Sequence, residues 1–365
     1  MASSQKELVL ITGSSGLVGT QAAQKLAESF TVAGLDRDSC SASGLEFIHC
    51  DIGSAKDVRD AFDKVRANYG QRIASVIHLA EYYDSSGAPS PHYDAINVRG
   101  TGHLLRELRN FQVEQFIFVS TMLVHAPCES GQRINEDWPL DPKWAYPQSK
   151  FEAEQLIRDQ HGAMPVVLLR IAATYDDGCH APLLAHQIQR IHERSLLSSV
   201  FPGDSTHGQA CLHVDDLVQA LLLLVQRRAQ MPSELTLMLG ESETLSYYKL
   251  QYKLGRLIHN EDWDTREIPK ALATTGAWID EVIPLGEKPF IEPWRLDLAD
   301  DHYVLDCTRA HTLLGWQPRH SLLDTLPQII ARLKAEPLAW YQDNKLDPPA
   351  WLEESGGRYD RRHGL

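Results

Sequence analysis

The sequence predicts an α/β protein built on a doubly wound parallel sheet, and two observations support this. Over the first 170 residues, short runs of aliphatic and β-branched residues alternate with longer amphipathic segments. The short runs are apolar throughout, as strands must be when helices cover both faces of a parallel sheet. We therefore expect a Rossmann-type sheet domain with a smaller C-terminal lobe.

The predicted elements follow one another along the chain. The strands are expected in ELVLITG, FTVAGLD, LEFIHCD, SVIHLA, EQFIFVS and PVVLLRI. The helices are expected in LVGTQAAQKLAESF, DVRDAFDKVRANYG, TGHLLRELRNF and the segment after Tyr146.

The alternation changes after residue 170, and this change sets the predicted domain boundaries. Residues 1–170 are assigned to the sheet domain, which is rejoined by about 213–240, where HVDDLVQALLLLVQ and ELTLMLG resume the α/β pattern. Residues 171–212 and 241–318 are richer in His, Pro and Trp and are assigned to the smaller lobe. Residues 319–365 are expected to form a C-terminal helix and a polar tail.

Composition and charge exclude several classes of function. The 365 residues carry a formal net charge of −14, which disfavours a nucleic-acid partner because nucleic acids require a clustered basic face. Six cysteines without a C-x-x-C pair are expected to be reduced, as in a cytoplasm. We find neither a signal-peptide pattern nor an apolar run approaching the roughly 20 residues of a membrane span. We expect a cytoplasmic protein that acts on a small-molecule substrate, without a membrane partner.

A glycine-rich segment follows the first strand and opens the first helix. It reads Gly13-Ser14-Ser15-Gly16-Leu17-Val18-Gly19, with the spacing G-x-x-G-x-x-G. In this context the first glycine permits a tight turn, the second lets backbone N–H groups approach a pyrophosphate, and the third allows close packing of helix and strand. The segment predicts a dinucleotide site, and the absence of G-K-[ST] argues against a nucleoside-triphosphate loop.

The ends of the next two strands carry candidate cofactor contacts. Asp36 ends the second apolar run, where a carboxylate can accept both ribose hydroxyls of an adenosine and would repel a 2′-phosphate. NAD is therefore favoured, although Arg37 can hold that phosphate, so NADP stays open. Asp51 and Ile52 follow the third strand and are expected at the adenine edge. The alternative for Asp36 and for Asp51 is a carboxylate that merely begins a turn.

Two hydroxyl residues and a tyrosine–lysine pair indicate proton transfer. Ser120 and Thr121 end the fifth strand, where an open parallel sheet places side chains in the crevice at its carboxyl edge. Tyr146 and Lys150 begin the next helix and share one face, since they are four residues apart. A nearby ammonium lowers the pKa of a phenol, so Tyr146 is expected to donate or accept a proton. Thr121 or Ser120 would bond the substrate oxygen.

Taken together, these motifs resemble the extended short-chain dehydrogenases/reductases of the NAD-dependent epimerase/dehydratase family. The resemblance extends over nearly the whole chain. It is carried by TGSSGLVG, the acidic Asp36, CDI ending at Ile52, HLA from His78 to Ala80, NVRGT beginning at Asn97, FVST ending at Thr121, YPQSK from Tyr146 to Lys150, HVDD beginning at His213, and LGWQP ending at Pro318.

The resemblance implies a role for each matching residue. Thr121 would occupy the catalytic Ser/Thr position, and Tyr146 would be the acid/base tyrosine. Lys150 would hold the nicotinamide ribose and lower the pKa of the tyrosine. The sheet domain would bind NAD or NADP, the smaller lobe would bind substrate, and the protein would form a homodimer through a four-helix bundle. Further residues that would line or support the cofactor site are Leu79, Ala80, Asn97 and Ser120.

Departures from the family pattern bear on the substrate. Relatives that act on nucleotide sugars usually carry an asparagine where this chain has Ala173, and the carboxylates of Asp176 and Asp177 follow it. A diphosphate would meet less donation and more repulsion there. The segments IPKALA, beginning at Ile268, and GAWIDEVI resemble relatives with apolar alcohol or ketone substrates. Met122 after Thr121 makes a dehydratase the least expected reaction.

These observations leave three hypotheses open. The first is hydride transfer between NAD(P) and a secondary alcohol or carbonyl, with Tyr146 as the general acid/base. The second is epimerisation of a nucleotide sugar through a keto intermediate with tightly bound NAD, using the same threonine, tyrosine and lysine. The third is a regulatory protein that binds NAD without chemistry. No metal site is predicted, because the histidines lack partners at ligand spacing.

Overall fold

The computed structural model describes residues 6–39, 46–84, 86–269 and 300–354. Its strands, in chain order, are β1 (Leu8–Thr12), β2 (Thr31–Asp36), β3 (Glu46–His49), β4 (Arg72–Ile73), β5 (Ser75–His78), β6 (Gln112–Val113), β7 (Phe116–Thr121), β8 (Val166–Ile171), β9 (Ala173–Tyr175), β10 (Val200–Pro202), β11 (Cys211–His213), β12 (Glu234–Leu239) and β13 (Arg266–Ile268).

Eleven helices lie in these described ranges. They are α1 (Leu17–Ala27), α2 (Ala55–Tyr69), α3 (Arg99–Leu108), α4 (Ala145–Gln160), α5 (Pro182–His192), α6 (Val214–Gln226), α7 (Tyr247–His259), α8 (Thr308–Leu314), α9 (Leu322–Ala335), α10 (Pro337–Asp343) and α11 (Ala350–Glu354). A π-helical turn, Tyr93–Val98, precedes α3. Within the described ranges, none of the helices combines the length and apolarity needed to cross a membrane.

Local sequence signals explain several helix ends. Ser54, Ser246 and Ser321 begin α2, α7 and α9, and the side chain of each accepts a hydrogen bond from the backbone N–H three residues on. This satisfies one of the N–H groups that a helix start leaves without an intrahelical partner. Asn260 and Gly315 end α7 and α8 in the left-handed conformation, which these two residue types adopt at low cost.

Seven strands form the central parallel sheet, in the order β12-β8-β7-β5-β1-β2-β3. The chain builds outward from β1 in one direction through β2 and β3, and then in the other direction from β5. Strand order therefore reverses between β1 and β5, where Leu10 pairs with Ala33 on one side and Val76 on the other. Open α/β sheets bind ligands above the carboxyl ends of the strands at such a point. The predicted fold class is confirmed.

Alternate residues of β1 enter different cores. Val9 and Ile11 pack with α1 and α6 on one face of the sheet, whereas Leu8 and Leu10 pack with helices on the other face. Both sets are buried, so the strand has no polar face. The continuous apolar runs of the sequence follow directly from this double burial.

A third core lies in the smaller lobe and includes the C-terminal helices. Tyr175 and Leu184 pack there with Leu326 of α9 and with Trp340 and Tyr341 of α10. The structure therefore packs the described residues after 318 into the lobe rather than setting them apart from it. The predicted similarity of GAWIDEVI and most of IPKALA to relatives with apolar substrates concerns residues outside the described ranges.

Three buried histidines make the free energy of unfolding depend on pH. Burial lowers the pKa of His78 to about 3 and those of His125 and His192 to about 4. In the unfolded chain each imidazole takes up a proton near its ordinary pKa of about 6.5, whereas the folded protein takes it up only at lower pH. Folding is therefore favoured most above about pH 6.5 and loses stability as the pH falls toward about 4.

We expect the free energy of unfolding to fall by about 1.4 kcal/mol per histidine between about pH 7.5 and pH 5.5. Urea unfolding followed by circular dichroism at both pH values measures this loss. His192→Gln is expected to flatten the pH dependence by one histidine's share, and the exposed His311→Gln serves as the matched control. Equal pH dependence in His192→Gln and the wild type would contradict the assignment.

Candidate active site

The glycine-rich turn is held in a conformation that excludes side chains at two positions. Gly13 has φ 71°, and its N–H donates to the carbonyl of Leu35 at 3.0 Å. A Cβ at Gly13 would lie 2.7 Å from the backbone nitrogen of Ala80, and one at Gly19 would overlap the carbonyl oxygen of Gly13. Helix α1 begins at Leu17, so its first-turn N–H groups and its dipole favour an anion beside the turn.

Asp36 stands at the carboxyl end of β2, beside this turn. Its Oδ2 accepts from Ser15 N–H at 2.9 Å and its Oδ1 accepts from Arg37 N–H at 2.7 Å. Asp36 and Arg37 line one cavity with Asp51 and Ile52, as the sequence predicts for an adenosine end. The two backbone bonds fix the orientation of the carboxylate on the cavity wall.

A chain of hydrogen bonds fixes the end of β5. His78 lies between two threonines, with Nδ1 2.7 Å from Thr12 Oγ1 and Nε2 2.9 Å from Thr101 Oγ1. Thr101 donates its own proton to the carbonyl of Asn97 at 2.6 Å, so it accepts from Nε2–H, and Thr12 donates to Nδ1. Thr12 Oγ1 in turn accepts from Ala80 N–H at 3.2 Å. The imidazole is therefore neutral and structural.

Tyr146 and Lys150 meet on the inner face of α4 at a carboxylate. The hydroxyl of Tyr146 donates to Oε2 of Glu81 at 3.2 Å, and Lys150 Nζ lies 3.0 Å from the same oxygen. The ammonium also lies over the ring of Phe118, 4.5 Å from its centroid. One oxygen atom of Glu81 therefore joins the tyrosine to the lysine.

The expected lowering of the Tyr146 pKa is wrong for this structure. Burial raises the pKa of Tyr146 well above its ordinary value, and the negative charge of Glu81 raises it further, with smaller contributions from Tyr83 and Tyr93. The prediction considered the ammonium of Lys150 but not the carboxylate beside it. A signal existed, because Glu81 follows the fourth predicted strand at the edge where such sheets place ligand contacts.

The two hydroxyls at the end of β7 are used differently. Ser120 Oγ donates to Oε1 of Glu154 at 2.6 Å, and Glu154 binds Arg170 in a buried bidentate ion pair with distances of 2.6 and 3.1 Å. Thr121 Oγ1 accepts from Leu123 N–H at 3.2 Å. Thr121 Oγ1 thus accepts a backbone hydrogen bond at the cavity wall, whereas the hydroxyl proton of Ser120 is directed to Glu154.

Most of the predicted site residues line a single cavity of about 1160 Å³. The exceptions are Ser14, Asn97 and Lys150, which do not line it. Asn97 instead binds both backbone groups of Tyr82, at 2.7 and 3.0 Å, and Ser149 Oγ at 2.9 Å. It supports the segment that carries Glu81 and does not reach the cavity. The predicted residues on the cavity wall are Gly13, Ser15, Gly16, Leu17, Val18, Gly19, Asp36, Arg37, Asp51, Ile52, Leu79, Ala80, Ser120, Thr121 and Tyr146.

The cavity continues from Tyr146 into the smaller lobe. Among the described lining residues, the carboxylates Asp36, Asp38, Asp51 and Glu81 all belong to the sheet domain. The lobe contributes mainly apolar side chains, and its cationic groups include Arg190 and Lys345. The apolar lining includes Ala173, Leu183, Leu184, Phe201, Leu245 and Leu250.

The two carboxylates after Ala173 do not line this cavity. Asp176 lies 2.8 Å from His180 Nδ1, an interaction that, against the opposing effect of burial, keeps the pKa of Asp176 low. Asp177 lies 3.5 Å from His213 Nε2. The predicted repulsion of a diphosphate by this pair is therefore not supported, and only the missing asparagine at Ala173 remains of that argument.

Two histidines and an aspartate near the start of α6 carry side chains of the kind that bind metals. Nitrogen or oxygen ligand atoms of His213, Asp215 and His320 lie within 4.8 Å of one another. The two imidazole rings, however, stack at a centroid distance of 4.1 Å and an interplanar angle of 22°. Imidazole binds a metal through a lone pair in the ring plane, and stacked rings direct these lone pairs alongside each other. We assign no metal to this cluster.

The family model described as "NAD dependent epimerase/dehydratase family" matches residues 9–240, more than half of the chain. The chain belongs to this family. The resemblance inferred from the motifs is confirmed, and the protein is an NAD-dependent enzyme of the short-chain dehydrogenase/reductase superfamily.

Three curated relatives show the range of the family. The chain is 30% identical over 159 residues to the N-acetyl-alpha-D-glucosaminyl-diphospho-ditrans,octacis-undecaprenol 4-epimerase of Escherichia coli O157:H7, covering 43% of this chain and 44% of the relative. It is 30% identical over 241 residues to Homo sapiens short-chain dehydrogenase/reductase family 42E member 1, covering 60% and 58%. Both matches span less than two thirds of the relative. The decarboxylating sterol-4-alpha-carboxylate 3-dehydrogenase of Saccharomyces cerevisiae is 22% identical, with 84% and 86% covered.

The fold also matches solved structures. MoeE5, in complex with UDP-glucose and NAD, superposes with a TM-score of 0.66 at 21% identity, covering 92% of this chain and 99% of that chain. At this identity the match establishes the fold alone.

The residues of the turn and cleft fit NAD, the cofactor of the family. The absence of side chains at Gly13 and Gly19 leaves a backbone cradle that suits a pyrophosphate, and Asp36 lines the cavity beside it. The family resemblance implies that Lys150 holds the nicotinamide ribose, but in this structure Lys150 does not line the cavity and its ammonium lies against Glu81. When bound, NAD supplies a nicotinamide that accepts or returns a hydride.

The backbone cradle predicts that Gly19→Ala abolishes NAD binding. The added Cβ overlaps the carbonyl of Gly13, so the turn must open. Gly102→Ala in α3 is the matched control, because its Cβ meets only the flexible end of Leu156 at 3.3 Å. Isothermal titration calorimetry with NAD measures both. Unchanged affinity in Gly19→Ala, with folding verified by circular dichroism, would rule out the cradle.

The position of Asp36 predicts the choice between NAD and NADP. Asp36→Ala is expected to weaken NAD binding about tenfold or more, since bonds from ribose hydroxyls to a carboxylate are lost. NADP binding is expected to strengthen, because the negative charge beside Arg37 is removed. Calorimetry with both nucleotides tests this, with the exposed Asp60→Ala as control. Equal affinity of the wild type for NAD and NADP would refute the role of Asp36.

Proposed function

We propose that this protein transfers a hydride between NAD and a secondary alcohol or ketone on a largely apolar substrate. The observation that carries the proposal is the continuous cavity, which passes from the glycine-rich turn along Thr121 and Tyr146 to the apolar side chains of the smaller lobe. Thr121 would bond the substrate oxygen, and Tyr146 would move its proton. The sterol dehydrogenase among the relatives supports this substrate class, and the human dehydrogenase/reductase supports the reaction type.

A second candidate is epimerisation of a nucleotide sugar with retained NAD. It is favoured by Arg190 and Lys345, which give the lobe side of the cavity positive charge for a diphosphate. The 4-epimerase relative also supports it. It would use Thr121, Tyr146 and Lys150 in the same roles, but would return both hydride and proton to the substrate.

We assign residues 1–170 and about 213–240 to cofactor binding, and residues 171–212 and 241–318 to substrate binding. Because α9 and α10 pack into the core of the smaller lobe, we extend that lobe beyond residue 318. A homodimer stays a prediction from the family.

Assays of the purified protein distinguish the two candidate reactions. With NAD and a panel of apolar secondary alcohols, a dehydrogenase forms NADH, which absorbance at 340 nm detects. An epimerase retains about one NAD per chain through purification and interconverts UDP-sugars without net NADH. We expect NADH formation, and its absence together with UDP-sugar epimerisation would establish the second candidate instead.

Tyr146→Phe is expected to lower kcat about 10² to 10⁴-fold, because the acid/base hydroxyl is lost while the ring remains. Tyr252→Phe is the matched control, since Tyr252 is exposed on α7 and lies outside the cavity wall. NADH formation by wild type and both variants provides the measurement. Full activity of Tyr146→Phe on every responsive substrate would disprove the assignment.

A further inference from the structure

Glu81 contacts both of the residues assigned to proton transfer. Its Oε2 accepts from the hydroxyl of Tyr146 at 3.2 Å and lies 3.0 Å from Lys150 Nζ. A carboxylate at this distance can exchange a proton directly with the phenol. In the described part of the chain, Glu81 is the side chain seen to accept a hydrogen bond from Tyr146.

Exposure to solvent distinguishes the three residues. Tyr146 and Lys150 are 8% and 2% exposed, whereas the side chain of Glu81 is 34% exposed and lines the cavity. Glu81 is therefore the most solvent-exposed of the three residues, and a proton on its carboxylate is the most accessible to water. The carboxylate forms a bridge from the buried hydroxyl to the solvent.

The charges around Tyr146 oppose a lasting phenolate. Burial and the charge of Glu81 both raise the pKa of Tyr146. The titratable groups that face this pair are Lys150 on α4, Tyr83 from the segment after β5, and Tyr93 from the π-helical turn, with His78 beneath Lys150. Among these described groups, only Lys150 carries positive charge. When an alcohol is oxidised, Tyr146 accepts the hydroxyl proton of the alcohol more easily if it donates its own proton to a neighbouring group at the same time.

We propose that Glu81 receives the proton of Tyr146 when a substrate alcohol is oxidised and then releases it to solvent, a role that rests on the proposed function. The alcohol loses hydride to the nicotinamide of NAD, the oxidant, and its hydroxyl proton to the oxygen of Tyr146. The O–H bond of Tyr146 breaks, and its proton forms an O–H bond on Glu81. Water removes this proton, and reduction follows the reverse route.

This route is needed only where a proton leaves the active site. Net oxidation of an alcohol releases one proton per turnover. The proton that Tyr146 accepts must therefore leave the site before the next turnover. Epimerisation returns hydride and proton to the same substrate, and no export is required. The role of Glu81 thus distinguishes the two candidate reactions.

The first test uses the protein without substrate. Tyrosinate absorbance is titrated against pH in wild type and Glu81→Gln, and the signal of Tyr146 is isolated by subtracting the same titration of Tyr146→Phe in each background. The pKa of Tyr146 is expected to fall in Glu81→Gln, because a neutral amide replaces the carboxylate. The exposed Glu129→Gln is the matched control and should leave it unchanged. An identical Tyr146 titration in wild type and Glu81→Gln would overturn the proposal.

The second test follows NADH formation against pH with the best alcohol of the panel. Glu81→Gln should lower kcat about tenfold or more and change the shape of the pH profile, because the amide accepts no proton, and Glu81→Asp should restore both in part. An unchanged profile in Glu81→Gln overturns the relay alone. A wild type that epimerises UDP-sugars without forming NADH overturns the proposed function and the relay together.

Discussion

The buried ion pair between Glu154 and Arg170 is the interaction on which the candidate active site depends. Tyr146, Lys150 and Glu154 follow one another at four-residue intervals on α4, so they share the face turned toward the sheet. Arg170 is the penultimate residue of β8, and Glu154 also accepts from Ser120, the penultimate residue of β7. Removing one member of such a buried pair costs about 3–5 kcal/mol, because the other charge is left without compensation. The pair thus joins α4, which carries Tyr146, to strands β7 and β8.

Neutral histidines complete this framework at two places. His125 accepts from Arg170 Nη1 at 3.0 Å and lies 2.9 Å from the carbonyl of Trp138, so it satisfies the guanidinium without adding a second positive charge. His78 connects Thr12 of β1 with Thr101 of α3 in the same neutral form. Both imidazoles hold backbone segments around the cleft, and both depend on burial to remain unprotonated. Framework stability and site geometry therefore share a dependence on pH.

Charge is distributed unevenly along the cavity, from the cofactor side to the substrate side. The described carboxylates of its wall lie on the sheet domain, while Arg190 and Lys345 lie on the apolar lobe. At the junction, Glu81 stands between the buried tyrosine and the open cavity. The lining thus suits a reaction in which the proton and the hydride leave in different directions.

The sequence by itself determined the fold class, the backbone cradle and the pairing of Tyr146 with Lys150. These features are local. Continuous apolar runs indicate strands buried on both faces, and glycines indicate positions without room for a Cβ. An interval of four residues places two side chains on one helix face. Only the tertiary structure decided the environment of these groups. It brought Glu81 from the end of β5 to Tyr146 on α4, directed Asn97 away from the cavity, and paired Asp176 with His180. A pKa depends on burial and on charges distant in the chain, which spacing alone does not reveal.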